Sequence, residues 1–251
     1  MAVTPLGRRK RSPSRIEHRE RMRNEILDSA GQLINLGGVE HLTMRTLGKE
    51  VGVTAATLYG YFPAKEAVLK ALLDEKMRAM NVALSQASEG VPPGARRILS
   101  YAIGYRQFAL TSPDFYHMFI VKFDPPDWDL VATGEDEHSV VLTRLHREIQ
   151  YAMDHGEMDR LPPVAVCRVL WSVAHGYVTL ERSDCFDTKR LDPEVQSRRY
   201  LEHLLLSTKG MFTPQTHAEL SLQIDTFAGV GAEESAAGDF DKVEVLNGNA
   251  D

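Results

Sequence analysis

Residues 42–66, LTMRTLGKEVGVTAATLYGYFPAKE, hold two short amphipathic segments separated by a glycine. Thr43 stands before Met44, Leu47 and Val51, whose spacing of three and four makes one apolar helical face, so the threonine is placed to cap a helix that ends near Gly52. Val53 and Thr54 open a second helix, Ala55 to Tyr61, with Leu58 and Phe62 facing inward and Pro63 closing it. Working outward, residues 16–36 set Met22, Ile26, Ala30, Leu33 and Ile34 on one face of a helix that stops at Gly37-Gly38. From Ala64 the apolar positions Leu69, Leu72, Leu73, Met77, Met80 and Leu84 predict a helix of several turns, running to the break Gly90-Val91-Pro92-Pro93. No strand-like alternation interrupts this stretch. Two short helices joined by a tight glycine turn, with longer helices on either side to supply a core, make a helix-turn-helix unit.

The same residues closely resemble the DNA-binding domain of the TetR family of bacterial transcriptional regulators. The likeness lies in a Thr before the first short helix (Thr43), Val-Thr before the second (Val53-Thr54), then Leu58-Tyr59, an aromatic followed by Phe (Tyr61-Phe62), and Lys65-Glu66. Two positions depart from the family pattern: Tyr61 stands where His is common, and Ala64 where a Ser-like cap is common. The loss of that cap is worth about 1 kcal/mol.

In a helix-turn-helix the second helix enters the major groove, so Thr54, Ala55, Ala56 and Thr57 are the candidate base-edge residues. Methyl groups suit contact with thymine methyls and hydroxyls discriminate weakly, so direct readout from this helix is expected to be modest, with Arg45 on the preceding helix as the bidentate reader. The resemblance implies phosphate contacts at Thr43, Tyr59, Tyr61 and Lys65, each chemically apt. For Thr43 the competing reading is a cap alone, for Tyr59 packing on the first helix, and for Lys65 a solvated charge.

The net charge of −6, taken alone, argues against nucleic acid, but it hides a segregation. Residues 1–23 carry 8 Lys and Arg against 2 Glu, whereas residues 213–251 carry 1 Lys against 8 acids. Because the helix-turn-helix region is nearly neutral, the basic arm is expected to supply much of the counterion-release term, with Arg8, Arg9, Lys10, Arg11 and Arg15 on phosphates or in the adjacent minor groove.

The rest of the chain also reads as helices. Residues 95–110 are apolar on almost every face, which marks a central buried helix. Pro113 restarts the chain toward a short helix bearing Phe115, Tyr116, Met118 and Phe119, and Lys122 to Gly134 is rich in Pro and acid and reads as loop. Further helices are predicted over 136–155, 163–182 and 193–211. Phe108 to Pro113, Tyr116-x-x-Phe119, and Trp171-Ser172-Val173-Ala174-His175-Gly176 resemble the TetR C-terminal subtype named for its Trp-x-x-x-His-Gly motif. The resemblance implies that the last two helices pair with a second subunit, and Val169, Val173, Tyr177, Leu201, Leu204 and Leu205 are the candidate dimer seam, with internal core as the competing reading for each. It also implies an effector pocket, for which Tyr105, Phe108, Phe115, Met118, Phe119, Trp171 and His175 are the candidates; packed core is the competing reading for each.

Other chemistry finds little support. No apolar run is long enough to cross a membrane, and no apolar stretch follows the basic N-terminus, so neither a span nor a signal peptide is expected. Cys167 and Cys185 suit a reducing cytoplasm and form no zinc pattern. Asp136, Glu137, His138, His146 and His155 are spaced too unevenly to place the histidines one turn apart, so no metal is expected. Neither a nucleophile elbow nor a phosphate-binding loop is present, and no cofactor or enzymatic activity is expected.

The sequence therefore predicts an all-α fold: a helix-turn-helix DNA-binding domain followed by a helical ligand-binding and dimerisation domain. The expected order is a basic arm (1–15), the helix-turn-helix domain (16–62), a linking helix (63–88), the effector and dimerisation domain (95–212) and a disordered acidic tail (213–251). The expected function is a homodimeric regulator, a repressor released from a palindromic double-stranded DNA operator by a hydrophobic small molecule. The alternative is a constitutive DNA-binding protein whose C-terminal domain is solid core.

Overall fold

The computed structural model describes residues 15–114, 118, 140–187 and 190–229. Helix α1 (Arg15–Gly37) is followed by a single 3-10 turn (Val39–His41), α2 (Met44–Val51), α3 (Ala55–Tyr59) and α4 (Lys65–Ala87). The second half contains α5 (Ala95–Thr111), α6 (Val140–Asp154), α7 (Pro163–Arg182), α8 (Pro193–Ser207) and α9 (Pro214–Leu222). Among the described residues there is no strand, only an isolated bridge between Met158 and Phe212. Lys122 to Gly134 lies outside the described residues.

Two apolar cores result. The first joins Ile26, Leu27, Ala30 and Ile34 of α1 to Leu47, Leu58, Phe62 and the first turns of α4, Val68, Leu69 and Leu72. The second gathers the remaining turns of α4, from Leu73 to Leu84, with α5 to α9. Helix α5 is the hub, buried over most of its length as its all-round apolar pattern predicts. It carries a charge into that core: Arg106 donates Nε and Nη2 to the Glu181 carboxylate at 2.8 and 2.6 Å and Nη1 to Ser197 Oγ at 3.1 Å. Both members of the pair are almost fully buried. Breaking such a pair leaves an uncompensated charge, so it fixes the register of α5 against α7 and α8.

The turn between α2 and α3 forms as its residues dictate. Gly52 takes φ 77°, a left-handed conformation that costs glycine nothing, and its N–H donates to the Gly48 carbonyl to end α2. The second short helix closes two residues before the sequence predicts, at Tyr59, because Gly60 and Tyr61 already turn toward α4. Helix α8 likewise stops at Ser207 rather than 211.

The larger correction concerns residues 213–251. Thr213 accepts from the Thr216 N–H at 3.5 Å with Pro214 in the first turn, and α9 begins there rather than a disordered tail. Leu220, Ile224 and Ala228 are buried in the second core at intervals of four, and residues 224–229 are helical. Only Glu219 and Asp225 of that segment's acids fall before residue 230, so averaging charge over the whole segment concealed an amphipathic stretch at its start. Residues 230–251 lie outside the described residues.

Leu220→Ala should destabilise the protein by about 2–4 kcal/mol in urea unfolding, whereas Leu222→Ala, at a site 87% exposed, should change it by less than about 0.5 kcal/mol.

Candidate nucleic-acid interface

The helix-turn-helix is held by threonine caps at both short helices. Thr46 N–H donates to Thr43 Oγ1 at 3.0 Å and Thr43 N–H donates to Thr46 Oγ1 at 2.9 Å, closing both ends of a capping box at α2. Thr54 caps α3 in one direction only, accepting from Thr57 N–H at 3.1 Å, with the two hydroxyls 3.0 Å apart. Leu58, with no exposure, anchors α3 from below. Ala56, Thr57 and Tyr59 are left exposed and Ala55 half-exposed, beside the exposed Arg45 at the start of α2. The surface offered is mainly methyl and hydroxyl, with one guanidinium and one phenol, as the sequence implies.

Two residues are placed differently from the simplest expectation. Lys65 is not a free solvated charge: its Nζ donates to the Val39 carbonyl at 2.8 Å, tying the start of α4 to the 3-10 turn. Tyr61 is half-buried, with the Arg19 guanidinium 5.1 Å from its ring centroid. Ala64 stands before α4 without a side-chain cap. Arg15 begins α1 and is exposed, while Arg8, Arg9, Lys10 and Arg11 lie outside the described residues. The sequence reading missed Arg19 and Arg23, which stack over Tyr61 and Phe62; their four-residue spacing from Arg15 was the available signal.

The second core encloses a cavity of about 80 Å³. Its walls come from α4 (Met77, Met80, Leu84), α5 (Tyr101, Ala102, Tyr105), α6 (Val141, Leu145) and α7 (Leu170, Trp171, Ala174), and it is closed below by Leu204, Thr208 and Phe212. None of the described residues that line it is charged. Of the pocket residues expected from sequence, Tyr105 and Trp171 line it. His175 stands behind Tyr105, its Nδ1 2.6 Å from the phenol oxygen, and burial lowers its pKa so that it is held neutral. Phe108 is buried core away from the lining, and Phe115 and Phe119 lie outside the described residues. Met118 is corrected: it is buried in the first core, against the DNA-binding helices, because the chain after α5 crosses to that side. The α4 residues were missed because that helix reads from sequence only as a linker.

The same crossing pins the two cores together. Asp114, almost fully buried, pairs with Lys76 of α4 at 3.1 Å. Its Oδ2 would lie 2.9 Å from a Cβ added to Gly31 of α1, so α1 approaches this carboxylate only because that position lacks a side chain.

The expected dimer seam is also corrected in part. Leu201, Leu204 and Leu205 are buried in the chain's own core because α8 turns that face toward α5, and Tyr177 of α7 is buried there against Phe186 and Tyr200. Val173 is half-buried and Val169 is exposed. The exposed apolar residues of these helices are Val169 and Leu180 on α7 and Val195 and Leu206 on α8, each pair eleven residues, or three turns, apart.

Comparison with known proteins accords with this geometry. Residues 26–72 match the model of the bacterial regulatory proteins of the tetR family, and residues 98–204 match that of the Tetracyclin repressor-like C-terminal domain. The chain belongs to the TetR family. It is therefore a DNA-binding transcriptional regulator with a helix-turn-helix, and the family is one of regulators, not enzymes. The uncharacterized HTH-type transcriptional regulator YobS of Bacillus subtilis (strain 168) is 24% identical over 191 residues, 74% of this chain and 94% of YobS. The HTH-type transcriptional regulator EthR of Mycolicibacterium smegmatis is 33% identical over 100 residues, 40% of this chain and 44% of EthR. A gamma-butyrolactone receptor (ArpA-like protein) of known structure superposes with a TM-score of 0.59 over 86% of this chain and 99% of that one, at 17% identity, and so shares the TetR-family fold. Among the described residues no helix is long and apolar enough to cross a membrane, and no group of acidic, His or Cys side chains could hold a metal ion.

The half-buried His175 and the buried His146 set a pH dependence. Burial lowers both from the ordinary value of 6.5, so the unfolded chain takes up protons first as pH falls. Stability should be full above about pH 7 and decline as pH falls through 6.5 toward the depressed folded-state values. In urea unfolding from pH 7.5 to 5, His175→Gln should flatten that decline.

Proposed function

We propose that this TetR-family regulator is a homodimeric repressor that holds a palindromic operator and is released by a small, neutral, hydrophobic effector. The observation that supports this reading is the apolar cavity walled by α4, the helix whose first turns belong to the core of the DNA-binding head. A space of about 80 Å³ holds roughly five to eight water molecules, so a small ring or short branched chain fits without rearrangement. A larger ligand has to part α4 from α5 and α6. That displacement moves the heads, and a change in their spacing removes the fit to successive major grooves about 34–36 Å apart. With no charged group among the described residues of the wall, a carboxylate or amine would lose its hydration without compensation from them, which favours neutral ligands. A small uncharged molecule such as the similar receptor's gamma-butyrolactone has suitable chemistry. The cavity favours this reading over a constitutive regulator with a solid core.

Trp171, His175 and Gly176 support placing the C-terminal domain in the Trp-x-x-x-His-Gly subtype. Val169, Val173 and Leu180 of α7, with Val195 and Leu206 of α8, are the surface best suited to pair with a second copy. Base edges are met by Arg45, Thr54, Ala55, Ala56 and Thr57, and phosphates by Thr43, Tyr59, Tyr61, Lys65 and the basic arm. The place of action is the bacterial cytoplasm.

Footprinting beside the protein's own gene, followed by a screen of neutral hydrophobic compounds for loss of the footprint, tests the whole reading. Ala174→Leu should keep the footprint and abolish release; release that persists in this variant places the effector elsewhere. Deleting residues 1–15 should lower the slope of log affinity against log salt by several units, and an unchanged slope would remove the arm from the interface. Leu206→Glu should halve the molecular mass in sedimentation, and a mass that stays dimeric would move the seam off α8.

A further inference from the structure

Helix α3 spans five residues, far too few to be stable by itself. Its start is held by the Thr54 cap and its middle by Leu58. At its end, Gly60 N–H donates to the Thr57 carbonyl at 3.0 Å, and the N–H groups of Tyr61 and Phe62 both donate to the Leu58 carbonyl at 2.9 Å. The carbonyl of Gly60, where the chain leaves α3, takes its partner from another helix: Arg19 Nη2 of α1, at 3.0 Å. The same guanidinium covers the ring of Tyr61, and one turn later Arg23 covers Phe62.

We propose that Arg19 is a positioning residue for operator readout, a brace from α1 that fixes the exit of the recognition helix and the plane of the Tyr61 ring. The proposal rests on the reading that α3 and Tyr61 face DNA, and it assigns Arg19 a role distinct from a phosphate contact. A guanidinium serving only as a phosphate ligand would point its donors at solvent, whereas this one spends a donor on a backbone carbonyl and its face on an aromatic ring. Its positive charge also lies at the negative end of α3. With the brace gone, the exit of α3 keeps its local backbone bonds and the core anchors Leu58 and Phe62, but the Gly60 carbonyl and the Tyr61 ring lose their partner from α1. Thr57, Tyr59 and Tyr61 then lose a common orientation, and specific readout suffers more than general attraction to the polyanion.

Arg19→Met keeps the apolar stem and the helix propensity while removing the guanidinium, and Arg19→Ala serves as a second variant should Met perturb folding. Amide exchange of the DNA-free protein should quicken at residues 57–62 by about tenfold and stay unchanged in the middle of α1 and α4. On a duplex selected from random sequence by the wild-type protein, affinity should fall about tenfold. Affinity for unselected duplex, and the salt slope on either DNA, should stay within the error of the wild-type values. Equal losses on both duplexes with a salt slope smaller by about one would make Arg19 a phosphate ligand and overturn the proposal. Unchanged exchange at 57–62 would overturn it as well. If the wild-type protein selects no duplex, the DNA-facing role of α3 fails, and the exchange result alone decides whether Arg19 braces the helix.

Discussion

Helix α4 runs one apolar stripe through two cores, and most of the arrangement follows from that. Val68, Leu69 and Leu72 pack with α1 to α3, while Leu73 to Leu84 pack with α5 and beyond. A close-packed interior transmits displacement rather than absorbing it. A helix shared by two interiors therefore cannot shift in one without a response in the other. The chain after α5 adds a second tie, with Met118 inside the first core and Asp114 held between Lys76 and the bare backbone of Gly31. The cavity lies beside the stretch of α4 that follows Lys76, where a bound molecule has most leverage on this junction.

The reading head is built with little material. Its two short helices depend on hydroxyl caps at Thr43 and Thr54, on one left-handed glycine at position 52 and on the buried Leu58. Each cap is worth about 1 kcal/mol, so the geometry of the exposed residues rests on several modest terms that must hold together. Long-range braces from α1 and α4, Arg19 on Gly60 and Lys65 on Val39, connect this short motif to helices of 23 residues that are stable through their packing. The C-terminal half uses a different device, the buried Arg106–Glu181 pair, whose strict geometry keeps α5, α7 and α8 in one register beside the cavity.

Where local chemistry decides a feature, the sequence was sufficient. Apolar spacing located most of the helices, including Pro163–Arg182 with both ends as expected, and Thr43 and Gly52 announced the first cap and the turn. Most of the failures share one cause. Met118, Tyr177, Leu201, Leu204 and Leu205 were all recognisable as apolar and helical. Which core or surface each would meet depends on how helices cross, and spacing along one helix carries no information about its neighbour. Helix α9 escaped notice because Leu220, Ile224 and Ala228 were averaged with an acidic segment that starts beyond them.

By itself, then, the sequence determined the all-helical class, the helix-turn-helix and the residue types it exposes, because caps, turns and amphipathic periods are set within a few residues of chain. The tertiary structure alone decided that α4 is a wall of the cavity as well as a connector. It also decided that Arg19 and Lys65 are tied to backbone carbonyls, that the exposed face of α7 and α8 carries Leu180 and Leu206, and that the two cores meet at Asp114. Those are contacts between residues tens of positions apart, and only the packing of whole helices brings such residues within bonding distance.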